Sequence, residues 1–178
     1  MTHKALIKLL TVSDIPFVIV GGVALRLYNS PRVTHDIDLA VRILDVDRIL
    51  GLLYPHGYRL ITSVSETSIH IALDADTASR FIEDNREGSA SLVLPYITPS
   101  SEYLTLEEID ISSQIDLLFE LGIPIPVLLK NANQVKLDDT QIFIASIQDL
   151  ITLKDNRTDK SITDEDDIRF LRRFLDSE

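Results

Sequence analysis

Asp36 and Asp38 stand two residues apart in a segment whose other members, Ile37, Leu39 and Val41, are apolar. Side chains of an extended chain alternate between faces, so both carboxylates project from one face while the aliphatic side chains fill the other. Carboxylates that close repel each other, and keeping both ionised on a half-buried strand is costly unless a cation lies between them. Hard divalent ions with oxygen ligands, Mg²⁺ foremost, suit such a pair. The alternative is two solvated acids decorating an edge strand. Arg32 and Thr34 share the parity of the two aspartates, so an extended segment would carry Arg32, Thr34, Asp36 and Asp38 on one polar face suited to phosphate and metal.

Asp116 is embedded among Ile115, Leu117, Leu118 and Phe119. A lone acid in a buried strand must find a partner or shift its pKa. A metal shared with Asp36 and Asp38 would answer that need, and so would an Arg or Lys across the sheet. The echo between Ile37-Asp38-Leu39 and Ile115-Asp116-Leu117 favours the shared site. Gly21 and Gly22 follow an apolar run directly; backbone N–H groups there can approach phosphate oxygens at a helix N-terminus, although a Gly-Gly pair is by itself only a turn.

Lys154 lies on the same helical face as Ile147 and Ile151. It either snorkels past the core to water or reaches a triphosphate as a point charge. Asp164 and Asp167 fall in the first turn of the last helix, where the dipole favours acids whatever the function. Leu171 and Phe174 share the face of Asp167, which points it at the core, where it can position Lys154 or Arg157. His3, His35, His56 and His70 lack metal-ligand spacing, and neither a nucleophile elbow nor a Gly-Lys-Ser phosphate loop is present.

The elements that must position these residues alternate in type. Helical spacing over 5–10 is broken by residues 14–16, and 17–20 reads as a buried strand handing over through Gly21 and Gly22 to a helix over 23–28. Strands follow over 33–41 and 58–62, flanking a helix over 45–54 that Pro55, His56 and Gly57 end. The middle reads as strands at 68–73 and 90–94 around a helix at 78–84, a loop at 85–89 and a surface loop at 95–101. Residues 114–121 form a buried strand, 122–126 a rigid Gly/Pro turn and 141–145 a last short strand. Ser146 with Asp149, and Thr163 with Asp166, carry capping signatures that open two C-terminal helices. This alternation is an α/β pattern, with 1–145 as the core and 146–178 as a helical hairpin packed on it within one domain.

The chain has 178 residues, 45% hydrophobic and 25% charged, proportions that suit one self-sufficient globular core. Its net charge of −11 disfavours broad nucleic-acid binding. Cysteine is absent, which fits a reducing cytoplasm, and no stretch approaches the ~20 apolar residues of a membrane helix.

The segments Val18-Ile-Val-Gly-Gly-Val-Ala-Leu25 and Arg32-Val-Thr-His-Asp-Ile-Asp-Leu39 closely resemble the glycine turn and paired-aspartate strand of the nucleotidyltransferase superfamily. Gly-Gly in place of Gly-Ser, with Leu153-Lys154 and Asp164-Glu-Asp-Asp167-Ile168, resembles the branch of type IV toxin/antitoxin (AbiEii-like) nucleotidyltransferases. The resemblance implies a mixed β-sheet flanked by helices and a metal-dependent transfer of an NMP group from an NTP, with Mg²⁺ or Mn²⁺. It implies that Asp36, Asp38 and Asp116 bind metal and act in catalysis, that Gly21, Gly22, Arg32, Thr34 and Lys154 hold the nucleotide, and that Asp167 supports them. The acceptor is RNA, a protein or a small molecule, RNA being disfavoured by the net charge. The competing reading is a non-catalytic antitoxin-like or regulatory module that keeps the fold and meets a basic partner protein with its acidic surface.

Overall fold

The computed structural model describes residues 2–85, 88–157 and 161–176. Part of the loop expected at 85–89, and part of the connection between Lys154 and Asp164, lie outside them. Helix α1 (His3–Val12) is capped by the Thr2 hydroxyl, and Asp14, at φ +52°, turns the chain into β1 (Phe17–Val20), which is buried along its length. Both glycines belong to the first turn of α2 (Gly21–Leu27). Next come β2 (Ile37–Val41), α3 (Val46–Leu53), β3 (Arg59–Val64) and β4 (Ile69–Ile71). Asp74 caps α4 (Ala75–Asp84), and β5 (Ser89–Pro95), β6 (Tyr103–Leu104) and β7 (Ile109–Leu118) complete this half. The chain then runs through α5 (Ile125–Asn131), β8 (Asn133–Leu137), β9 (Thr140–Ile144), α6 (Ile147–Asp155) and α7 (Ile162–Leu175).

The strands form one mixed sheet in the order β6-β4-β3-β5-β7-β2-β1-β9-β8. Two pairings are parallel, β2 with β7 and β1 with β9, and the others are antiparallel. The β2–β7 register sets Asp38 beside Asp116 and Leu39 beside Leu117. The aliphatic parity of these strands, Ile37, Leu39, Ile115 and Leu117, is fully buried in the main core. A smaller cluster of Ile69, Ile71, Val93, Leu104 and Ile109 closes the far end. Among the described residues no helix is long and apolar enough to cross a membrane.

The architecture is the expected mixed sheet flanked by helices, but several boundaries move. The strand expected over 33–41 starts only at Ile37. Upstream, Thr34 donates its hydroxyl to Asp36 and Arg32 reaches Asp167, and such side-chain bonds compete with a regular ladder. The four-residue polar face of one strand is therefore a loop plus a strand. The strand expected from 114 begins at Ile109. The turn at 122–126 passes into α5, with a proline tolerated in its first turn, and the following hairpin pivots on Asp138 at φ +51°.

The last helix is capped two residues earlier than the Thr163/Asp166 signature suggests, by a reciprocal pair of Ser161 and Asp164. At α6 the Ser146 hydroxyl accepts the Asp149 N–H, yet the Asp149 carboxylate meets Asn131 Nδ2 at 3.4 Å instead of closing a capping box. Because Leu39, the neighbour of Asp38 in β2 and register partner of Leu117, is fully buried, Leu39→Ala is expected to cost about 2–5 kcal/mol in denaturant unfolding.

Candidate active site

Asp38 from β2 and Asp116 from β7 are register neighbours across a parallel ladder, so their carboxylates leave the sheet side by side. Asp36 joins them from the turn before β2, and the three offer oxygen atoms all within 4.8 Å of one another. Asp116 accepts the Ser91 hydroxyl at 2.6 Å and Gln114 Nε2 at 3.0 Å; Asp36 accepts the Thr34 hydroxyl; Asp38 accepts the backbone N–H of Gly22. Burial, then repulsion from Asp36 and from Asp116, pushes the Asp38 carboxyl up to about 6, against the opposing pull of the Gly22 N–H and Arg157. An all-oxygen donor set in which Asp36 and Asp116 raise the proton affinity of Asp38 fits a hard divalent cation, which would relieve the repulsion that protonation otherwise relieves.

The glycine turn has a steric reason. Gly21 sits at φ +61°, and a Cβ there would fall onto the Asp38 carboxylate. A Cβ on Gly22 would lie 2.8 Å from the Thr34 side chain. Only a turn without side chains lets α2 begin directly against the carboxylates. The Gly22 N–H is engaged by Asp38, so the turn also orients an acid.

A cleft of about 790 Å³ opens over this cluster, lined by Gly21, Gly22, Arg32, Asp36, Asp38 and Lys154 among others. Thr34 stands behind, between Gly22 and Asp36. Lys154 is 6% exposed and bonds Asp164 Oδ1 and Asp167 Oδ2, each at 2.8 Å. It therefore does not snorkel; it links α6 to α7 beside the cleft. Asp167 also receives Arg32, and Asp164 receives Arg157 at 3.3 Å together with the Ser161 N–H and hydroxyl. Asp164, read from the sequence as an acid that the helix dipole favours, is thus also a buried partner. Asp167 faces the core as expected, but it holds Lys154 and Arg32, while Arg157 goes to Asp164. Burial pushes the Asp164 carboxyl up, yet Lys154 and Ser161 outweigh it and hold the group well below the usual carboxylate range.

Sequence reasoning missed Ser91 and Gln114, the polar side chains on Asp116. Gln114 shares the parity of Asp116 two residues on, a signal that was available. Ser91 meets Asp116 only through the β5–β7 register, which no local pattern carries.

No family model matches the chain, and no curated protein matches it significantly. Solved structures do resemble it. An inferred nucleotidyltransferase of Thermotoga maritima aligns at TM-score 0.51 and 14% identity, over 100% of this chain and 97% of that one. The lincosamide antibiotic adenylyltransferase LnuA, bound to lincomycin, aligns at 0.50 and 14%, covering 97% of both chains. An inferred nucleotidyltransferase of H. pylori aligns at 0.49 and 17% over 96% of this chain, which spans only 64% of its length. Resemblance at such identities fixes the fold: a nucleotidyltransferase-like mixed sheet.

Two outcomes test this geometry. The folded-state pKa of Asp38 lies above the ordinary carboxylate value of 3.8, so the folded protein binds the extra proton. The associated stability is complete below about pH 4 and is lost as pH rises through about 6. Asp38→Asn, measured without added metal, is expected to gain on the order of 1–3 kcal/mol relative to wild type as pH rises from about 4 to 7 in paired unfolding curves. Lys154→Met leaves buried carboxylates short of a cation and is expected to cost roughly 3 kcal/mol or more, against well under 1 kcal/mol for a snorkelling lysine.

Proposed function

We propose that this chain is a metal-dependent nucleotidyltransferase that moves an NMP group from an NTP to an acceptor hydroxyl. The observation that carries the reading is the carboxylate cluster of Asp36, Asp38 and Asp116 at a cleft of about 790 Å³ within a nucleotidyltransferase-like fold. That volume lies within the range of small-molecule sites. In this reading Asp36, Asp38 and Asp116 hold Mg²⁺ or Mn²⁺. The ion would supply the positive charge that neutralises the attacking and leaving oxygens of an in-line displacement at the α-phosphorus.

The chain's own residues position the reactants. Gly21 and Gly22 let the triphosphate approach the backbone beside Asp38. Arg32 and Lys154 line the same cleft, where Asp167 fixes both side chains in orientation. Thr34 orients Asp36, and Ser91 with Gln114 orients Asp116. Positioning and charge neutralisation are what phosphoryl chemistry chiefly asks of a protein. Residues 1–145 would form the nucleotide-binding core and 146–178 its cap. The pairing of Lys154 with Asp164 and Asp167 joins the two late motifs that resemble the toxin/antitoxin branch and supports placing the protein there. Because two carboxylates already neutralise Lys154, a non-catalytic binding module is the second reading, and it predicts nucleotide binding without turnover.

Calorimetric titration with each of the four NTPs, with and without Mg²⁺, tests the proposal. Binding is expected only with Mg²⁺, and saturation at a hundredfold excess over Kd is expected to stabilise the fold by about 2.7 kcal/mol. The double variant Asp36→Asn/Asp38→Asn is expected to lose both effects while remaining folded. An NTP that binds equally well without metal, or no binding by any NTP, would sink the transferase reading.

A further inference from the structure

Between β3 and β5 the sheet comes apart. The two strands pair at Arg59–Val93 and Leu60–Leu92, and among the described residues no pairing joins them further on. Past a register shift, β3 follows β4 to Val64, while β5 stays with β7 back to Ser89. The C-terminal end of α4 closes the wedge, which holds a cavity of about 340 Å³.

This wedge adjoins the carboxylates. Asp38, Asp116 and Ser91 are successive register neighbours across β2, β7 and β5, so the cavity begins one strand beyond Asp116. Ser89 lines both the cavity and the large cleft. The Ser91 hydroxyl lies in the cavity wall and donates to Asp116. The glycine turn lies on the other side, where α2 follows β1. A displacement at phosphorus needs its attacking and leaving oxygens in line on opposite sides, and the two compartments supply two such approaches.

The lining also states a chemistry. Phe81 and Ile82 present an apolar wall. Thr62 and Ser63 add hydroxyls that make no side-chain hydrogen bond to another described residue. Each hydroxyl both donates and accepts, and so matches another hydroxyl. Among the described residues no charged side chain lines the cavity. A phosphate, a carboxylate or a polynucleotide would find no counter-charge among those described residues.

We propose that this wedge is the acceptor site, taking a small uncharged molecule that carries several hydroxyl groups and one apolar face. The proposal rests on the transferase reading above. The acceptor stacks its apolar face on Phe81, bonds Thr62 and Ser63, and directs one hydroxyl past Ser91 toward the donor nucleotide. That hydroxyl oxygen bonds to the α-phosphorus, the bond from phosphorus to pyrophosphate breaks, and the hydroxyl proton passes to water.

The test follows backbone amide resonances of the full chain during titration with glucose, myo-inositol and uncharged nucleosides, then with glucose 6-phosphate, gluconate and an RNA oligonucleotide. Neutral compounds are expected to shift Thr62, Ser63 and Ser91, with charged counterparts binding roughly tenfold or more weakly. With α-labelled NTP and Mg²⁺, label is expected on a neutral compound. Ser63→Trp, which fills the wedge from an exposed position, is expected to cut that transfer roughly tenfold or more while leaving the NTP-induced shifts of Gly21 and Gly22 unchanged. Silence of the wedge amides toward every neutral compound, or transfer to RNA that survives Ser63→Trp, overturns the acceptor assignment. If Mg²⁺–NTP fails to shift Gly21 and Gly22 in the wild type, the transferase reading falls instead.

Discussion

The repulsion among three carboxylates is the constraint around which the rest of the structure is arranged. A parallel β2–β7 ladder puts Asp38 next to Asp116 in register, and the chain brings Asp36 in from the preceding turn. Nothing in hydrophobic packing calls for this; the same strands bury Ile37, Leu39, Ile115 and Leu117 on their other parity and would do so with neutral residues opposite. Raised proton affinity at Asp38 is the visible cost of the arrangement in the absence of a cation. Fold stability alone does not call for such a feature, which is an argument for a ligand of opposite charge.

Two further devices depend on that cluster. The glycine turn exists because any side chain there would strike Asp38 or Thr34. The α6–α7 hairpin borders the cleft with an ion-pair network in which Lys154 bonds two aspartates, Arg32 sharing Asp167 Oδ2 with it and Arg157 sharing Asp164 Oδ1. Buried ion pairs add little net stability compared with apolar packing. Here the network's effect is geometric: it ties the loop before β2 to α7, and so fixes Arg32 relative to Asp36 and Asp38.

Much of this was legible because it depends on local pattern. The alternation around Asp36 and Asp38, the buried run of β1 and the helical stripe around Lys154 all express a period of 2.0 or 3.6 that the chain writes directly. What could not be read depends on distant partners. The strand before Ile37 dissolves because Arg32 and Thr34 find side chains rather than a ladder. Asp164 looked like an ordinary helix-start acid, since only the return of α6 brings Lys154 to it. Ser91 had no local mark at all, and the wedge between β3 and β5 is a property of pairing, which the residues at 60–110 do not announce one by one.

Asp36, Asp38 and Asp116 form a cluster that could hold a divalent cation. Titration with Mn²⁺, read as paramagnetic broadening of backbone amides, tests this directly. Broadening centred on residues 36–39 and 115–117, reversed by excess Mg²⁺ and lost in Asp38→Asn, is expected. Broadening centred elsewhere, or none at saturating Mn²⁺, would contradict it.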